Sequence, residues 1–148
     1  MKWLNKLFNR NDAMNERDPN QSNAYDMIGG DKTIKAIAEH FYHYMATNAN
    51  VRPLRDIHPQ SLQDSEQKLY EFLSGWLGGP QLFQQRHGNP ALRARHMPFA
   101  IDESMRDQWL ECMGYALGKS LKSPEHQKVI FQAISTLADH MRNQPNQS

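Results

Sequence analysis

The eight residues Leu92-Arg93-Ala94-Arg95-His96-Met97-Pro98-Phe99 carry the densest chemistry in the chain. His96 follows two arginines and precedes a Pro-Phe pair. Neutral imidazole offers a lone pair near pH 7, which makes histidine the commonest metal ligand among side chains. Arginine adds a permanently charged, planar fork suited to carboxylates. Pro98 discourages a helix from continuing and so puts His96 at a helix end. An imidazole so placed, with basic neighbours and the Phe99 ring, has what an iron porphyrin with two propionates requires. The same residues also describe a basic turn holding an exposed or internally satisfied histidine. The elements on either side must distinguish the two.

A chain of 148 residues suffices for one domain with one core. Hydrophobic residues at 39% and charged residues at 22% place it in the globular range. A net charge of +1 supplies no strong field toward nucleic acid or a membrane surface. Cys112 is the single cysteine, which excludes an intrachain disulfide and any metal site built from several thiolates. No apolar run reaches the roughly 18 residues of a spanning helix. The first residues lack the apolar core and cleavage site of a secretory signal. The expected location is the cytoplasm.

Three regions follow from the pattern. Residues 1–22 read as an amphipathic and flexible arm. Trp3, Leu4, Leu7 and Phe8 share one helical face beside Lys2, Lys6 and Arg10, before a polar stretch containing Pro19. The arm is a weak membrane-surface element or a segment that is disordered or packed on its own domain. Residues 23–142 read as the domain, and residues 143–148 as a disordered tail.

The domain opens with Ile28-Gly29-Gly30-Asp31, a turn ending in Asp31 as helix N-cap. Ile34, Ile37, Ala38, Phe41, Tyr42 and Met45 then form a helical stripe. Tyr42 lies within it, so its hydroxyl points inward and needs a partner. His40 and His43 could pair on a metal but sit at the edge of the stripe or off it, where histidines face solvent. Residues 48–59 read as irregular, broken by Pro53 and Pro59. A second helix runs from about Ser61 with Leu62, Leu69, Phe72, Leu73, Trp76 and Leu77, flanked by Lys68 and stopped by Gly78-Gly79-Pro80. Residues 81–89 read as a loop carrying Leu82 and Phe83, and a brief helical piece around Pro90 to His96 follows. Asp102 caps a third long helix bearing Met105, Trp109, Cys112, Met113, Ala116 and Leu117. Ser123-Pro124-Glu125 opens the last, with Ile130, Ala133, Ile134, Leu137, Ala138 and Met141. No segment alternates with period two, so the fold class is all-α, either a bundle or a globin-like sandwich.

Taken in order, Tyr25 with Ile28-Gly29-Gly30, Phe41-Tyr42, Pro53-Leu54, Phe72-Leu73, Gly78-Gly79-Pro80, the His96 stretch, Trp109-Leu110 and Cys112-Met113 resemble the truncated haemoglobins, second group. The resemblance covers roughly Ala24 to Lys119 and implies a two-over-two helical sandwich around haem b, iron protoporphyrin IX. It implies His96 as the proximal iron ligand, with Tyr42, His58 and Trp109 on the distal side. Ile57 is the other candidate for the His58 position. Ser65 and Leu69 stand where some relatives place Thr and Gln, so distal hydrogen bonds must come from elsewhere.

On this resemblance Leu54, Leu69, Phe72, Leu73, Phe83, Phe99, Trp109 and Met113 would grip the macrocycle, and each could equally be plain core. Arg93, Arg95 and Lys68 are candidates for the propionates, Arg93 first. Tyr42, His58 and Trp109 would donate to the partial negative charge of a bound diatomic ligand. Tyr42 or His58 could also serve as a sixth ligand to ferric iron. The implied partners are O2, NO, CO or peroxide-type ligands, with an outside reductase for any turnover. The implied roles are O2 binding or transfer and defence against reactive oxygen and nitrogen species, with peroxidase-like chemistry open. The rival functions are a haem-free helical module and a peripheral membrane or interaction protein acting through the arm.

Overall fold

A computed structural model describes residues 23–97 and 99–143, together with their side chains except that of Arg93. The arm over residues 1–22, Pro98 and residues 144–148 lie outside the described residues. The elements are α1 (Ala24–Met27), α2 (Asp31–Thr47), a 3-10 turn (Ala49–Val51), α3 (Arg52–Asp56), α4 (Gln63–Trp76), α5 (Leu82–His87), α6 (Leu92–His96), α7 (Glu103–Ser120) and α8 (Pro124–His140). No strand occurs among the described residues. Helix α2 packs on both α4 and α7, and α8 packs on α7. The α2–α4 pair therefore lies over the α7–α8 pair, the two-over-two sandwich that the sequence implies.

The stripe on α2 explains its central place. Ile34, Ile37, Ala38, Phe41, Tyr42 and Met45 are all buried. They meet Leu73 and Leu77 from α4, Cys112, Met113, Ala116 and Leu117 from α7, and Ile130 and Ile134 from α8 in one core. Each large apolar side chain so buried contributes on the order of 1.5–3 kcal/mol. Helix starts follow from capping: Asp102 accepts from the Met105 N–H and Ser123 from the His126 N–H.

The start of α2 differs from expectation. Gly30 holds the cap position at φ 72°, and Asp31 is the first helical residue. An aspartate at that φ would carry backbone strain that glycine avoids. The Asp31 carboxylate instead accepts from the Tyr70 hydroxyl on α4 and pairs with Lys35 at 3.1 Å. The Tyr70 hydrogen bond holds its carboxyl below the usual range. Two glycine motifs distant in sequence meet here. The Tyr25 N–H donates to the Leu77 carbonyl at 2.9 Å, and Asn23 Nδ2 to the Gly78 carbonyl at 2.7 Å. The Tyr25 ring lies over Gly79, where a Cβ would come within 2.4 Å of it.

Two stretches read as irregular are partly helical. Residues 48–59 contain the 3-10 turn and α3, because Pro53 sits in the first turn of α3, where it suits a helix. Residues 81–89 contain α5. It is six residues long and buries only Phe83, too short a stripe to register as periodic. What fixes α5 is Glu71 on α4, 4% exposed, which accepts from His87 Nε2 at 3.0 Å and Arg86 Nη1 at 3.3 Å. Helix α4 begins at Gln63, two residues later than the expected Ser61.

Cys112 lies fully buried against α2. Burial pushes its thiol up to about 12. Only the thiolate is nucleophilic. Modification by a disulfide reagent at pH 8 should therefore run at least about a hundredfold slower in the folded chain than in the denatured chain. Equal rates would contradict a sealed core. Among the described residues no helix is long and apolar enough to cross a membrane.

Candidate functional site

Helix α6 is a single short turn, held by contacts outside itself. It starts at Ala91, which adopts φ 39°, ψ 51° and is the one non-glycine residue at positive φ among those described. A left-handed residue of this kind costs roughly 1–2 kcal/mol. Arg95 supplies part of the compensation. Its Nε donates to the Pro90 carbonyl at 2.7 Å, and its Nη2 to those of His87 and Asn89 at 3.0 and 3.1 Å. Its guanidinium lies 5.0 Å from the centre of the buried Phe83 ring. Arg95 thus ties α5 to α6, so it is committed to carbonyls rather than available to a carboxylate ligand. Ala91→Gly should raise stability by about 0.5–1 kcal/mol, read as a thermal midpoint about 2–4 °C higher. A lower midpoint would contradict strain at that position.

His96 closes α6. Its Nδ1 lies 2.6 Å from the Leu92 carbonyl, which accepts only if Nδ1 carries the proton. Nε2 is then the lone-pair nitrogen, and no described residue hydrogen-bonds it. The ring is half-buried, flanked in sequence by Met97 at 56% and Phe99 at 43% exposure. An oriented imidazole beside exposed apolar side chains is a donor set for a metal held in a hydrophobic macrocycle. No group of three or more His, Cys, Asp or Glu that could cage a bare ion occurs among the described residues.

Three expected distal residues form one continuous run of rings. Phe41 meets Trp109 at 5.1 Å and Tyr42 at 4.8 Å between centroids, and Tyr42 meets His58 at 5.9 Å. The His58 ring lies edge-on to Tyr42. The Tyr42 hydroxyl has no hydrogen-bond partner among the described residues, although the residue is only 8% exposed. Burial pushes it well above the usual tyrosine range, with the Cys112 and Glu66 charges adding to the effect. His58 Nδ1 lies 2.8 Å from the Leu54 carbonyl, so this ring is also fixed with Nε2 as the lone-pair nitrogen. Burial holds His58 below the ordinary histidine range against the opposing pull of its Leu54 hydrogen bond, and the positive field of Arg55 acts with burial.

The remaining expected residues divide. Leu54, Leu69, Leu73, Phe83 and Met113 are buried, all but Phe83 within the main core. Phe72 is half-buried and meets both Trp76 and Phe83 at 6.5 Å. Phe99 is exposed, and Lys68 pairs with Asp64 at 3.1 Å. The Arg93 side chain lies outside the described residues. His43 is exposed, and His40 sits edge-on to Tyr115 at 6.3 Å, so the pair makes no metal site. Sequence reasoning missed the Glu71–His87 and Arg95 contacts. Their one signal was an unexplained basic run after a glycine stop.

Comparison with known proteins agrees with this geometry. The family model for bacterial-like globins matches residues 23–143. The group 2 truncated hemoglobin YjbI of Bacillus subtilis is 35% identical over 120 residues, spanning 81% of this chain and 88% of that protein. Among solved structures, the cold-adapted truncated hemoglobin of Pseudoalteromonas haloplanktis TAC125 superposes with a TM-score of 0.81 at 46% identity, covering 83% of this chain and 99% of its own. The group II 2-on-2 hemoglobin of Agrobacterium tumefaciens gives 0.82 at 35% identity, over 90% and 100%. The chain belongs to the bacterial-like globins and, within them, to the group II truncated haemoglobins. Membership implies haem as cofactor and small gaseous ligands such as O2.

Proposed function

We propose that the chain holds haem b through His96 Nε2 and receives O2 and related ligands on the side of Tyr42, His58 and Trp109. The observation that carries this reading is the 2.6 Å contact between His96 Nδ1 and the Leu92 carbonyl. It fixes the tautomer, leaves the lone pair on Nε2 and raises its basicity, as the partner of a metal-bound histidine must. Haem, when bound, supplies the ligand-binding metal and its redox chemistry.

The protein's own part is orientation and charge. The Tyr42 hydroxyl and the Trp109 indole N–H are donors without partners among the described residues, suited to a ligand with negative charge on its outer atom. His58 plays a different part from the one the resemblance gives it. Its only N–H is spent on Leu54, and burial keeps it neutral near pH 7, so it presents a lone pair. It is an acceptor beside Tyr42, or a sixth ligand to ferric iron, rather than a third donor. Leu54, Leu69, Phe72, Leu73, Phe83, Phe99 and Met113 supply the apolar grip. Arg93 and Lys68 are the cations that would pair with the propionates, and Lys68 would give up an exposed pair with Asp64 worth only about 0.3–0.5 kcal/mol.

The same donors serve O2 binding or transfer and the reduction of peroxide or NO-derived species, with CO as a further ligand. Turnover requires an external reductase. A single buried cysteine fits a reducing compartment such as the cytoplasm. Titration of the purified chain with haemin should saturate at one per chain, and the reduced complex should bind CO reversibly. A chain that takes up no haemin removes the proposal.

A further inference from the structure

The last residue described, Asn143, belongs to the stretch that its sequence marks as a disordered tail, yet it makes four hydrogen bonds to residues between 96 and 101. Its N–H donates to the Ile101 carbonyl at 2.9 Å, and its Oδ1 accepts from the Ile101 N–H at 2.8 Å. Its Nδ2 donates to the Phe99 carbonyl at 2.7 Å and to the His96 carbonyl at 3.2 Å. The partners fix the amide orientation, since carbonyls can face only the NH2 group and an N–H only the oxygen. Helix α6 is five residues long and cannot satisfy its own terminal carbonyls. The Phe99 N–H donates to the His96 carbonyl at 3.0 Å, and Asn143, reaching over from beyond the end of α8, adds a second donor to that same carbonyl.

We propose that Asn143 is a positioning residue for His96. It clasps residues 96–101 to the end of α8 and so sets the height and tilt of the imidazole against the iron. The inference rests on His96 being the iron ligand. It assigns to the C-terminal end of the domain a part in tuning ligand affinity and haem retention. Arg95 holds the same turn from its N-terminal side, so the two clamps act on opposite ends of α6.

Asn143→Asp tests this in the full holo-protein. Aspartate keeps the acceptor for Ile101 and loses both Nδ2 donors, so the fold is retained while the hold on His96 is released. Three changes are expected. Haem transfer to an apo-globin acceptor quickens roughly three- to tenfold, the range set by losing one or two ordinary hydrogen bonds. The iron–imidazole stretching band of the ferrous protein shifts. Amide exchange quickens at Met97 and at residues 99–101 but not in α2. Asn143→Gln, which carries the donors on a longer stem, should restore part of the band position. Unchanged band, exchange and haem-loss rate in Asn143→Asp would overturn the inference. If instead His96→Ala left the pigment unaltered, the proximal assignment itself would fail, whatever Asn143 does.

Discussion

His96→Ala is expected to yield a chain that folds but does not hold haem. The core of α2, α4, α7 and α8 contains no atom of His96, so helicity should be preserved. The variant removes a ring whose tautomer the Leu92 carbonyl already fixes, with the lone pair on Nε2. What remains is apolar contact, and part of that is open, since Met97 and Phe99 are 56% and 43% exposed. Haem should therefore leave at least about a hundredfold faster, the scale of losing a buried interaction of about 2.7 kcal/mol or more. Free imidazole should restore much of the visible spectrum by entering the cavity left by the side chain. A variant that kept its colour and spectrum would place the iron ligand elsewhere, with His58, whose Nδ1 is likewise bonded to a backbone carbonyl, the next imidazole to test.

The second large effect is expected at Tyr42. The residue is 8% exposed, its hydroxyl makes no hydrogen bond to a described residue, and it is strongly disfavoured from ionising. A hydroxyl kept protonated in such surroundings is a committed donor. A hydrogen bond to a charged group is worth about 1.5–3 kcal/mol, so Tyr42→Phe should raise the O2 dissociation rate about tenfold or more. Stability should change little, because phenylalanine keeps the ring against Phe41 and His58 and relieves a buried polar atom. Stopped-flow displacement of O2 by CO measures the rate. An unchanged value would remove Tyr42 from the ligand's surroundings and leave Trp109 as the donor.

The residues that were legible in the sequence share a physical property. The stripes of α2, α4, α7 and α8 repeat over several turns, and each repeat adds to the signal. Caps at Asp102 and Ser123 were legible because their side chains bond their own helix. Asp31 misled because Gly30 takes the cap and the carboxylate bonds Tyr70, 39 residues away. Helix α5 escaped notice since a six-residue helix has one inward position, and its anchor, Glu71, lies on another element.

The site shows the same division. His96 stood out by its neighbours, whereas Tyr42, His58 and Trp109 lie on separate elements and no spacing connects them. Their grouping came from the resemblance to a family, and the ring run through Phe41 is its physical counterpart. Arg95 looked like a carboxylate partner, because a sequence displays its charge but not the three carbonyls that occupy it. Asn143 gave no signal, being one polar residue at the head of a polar tail.

The most direct test of the account is resonance Raman spectroscopy of the ferrous, ligand-free protein prepared with natural and with 15N-labelled histidine. An iron–imidazole stretching band is expected that moves to lower frequency on labelling and is missing in His96→Ala. A band that ignores the label, or one that survives the loss of His96, would contradict it.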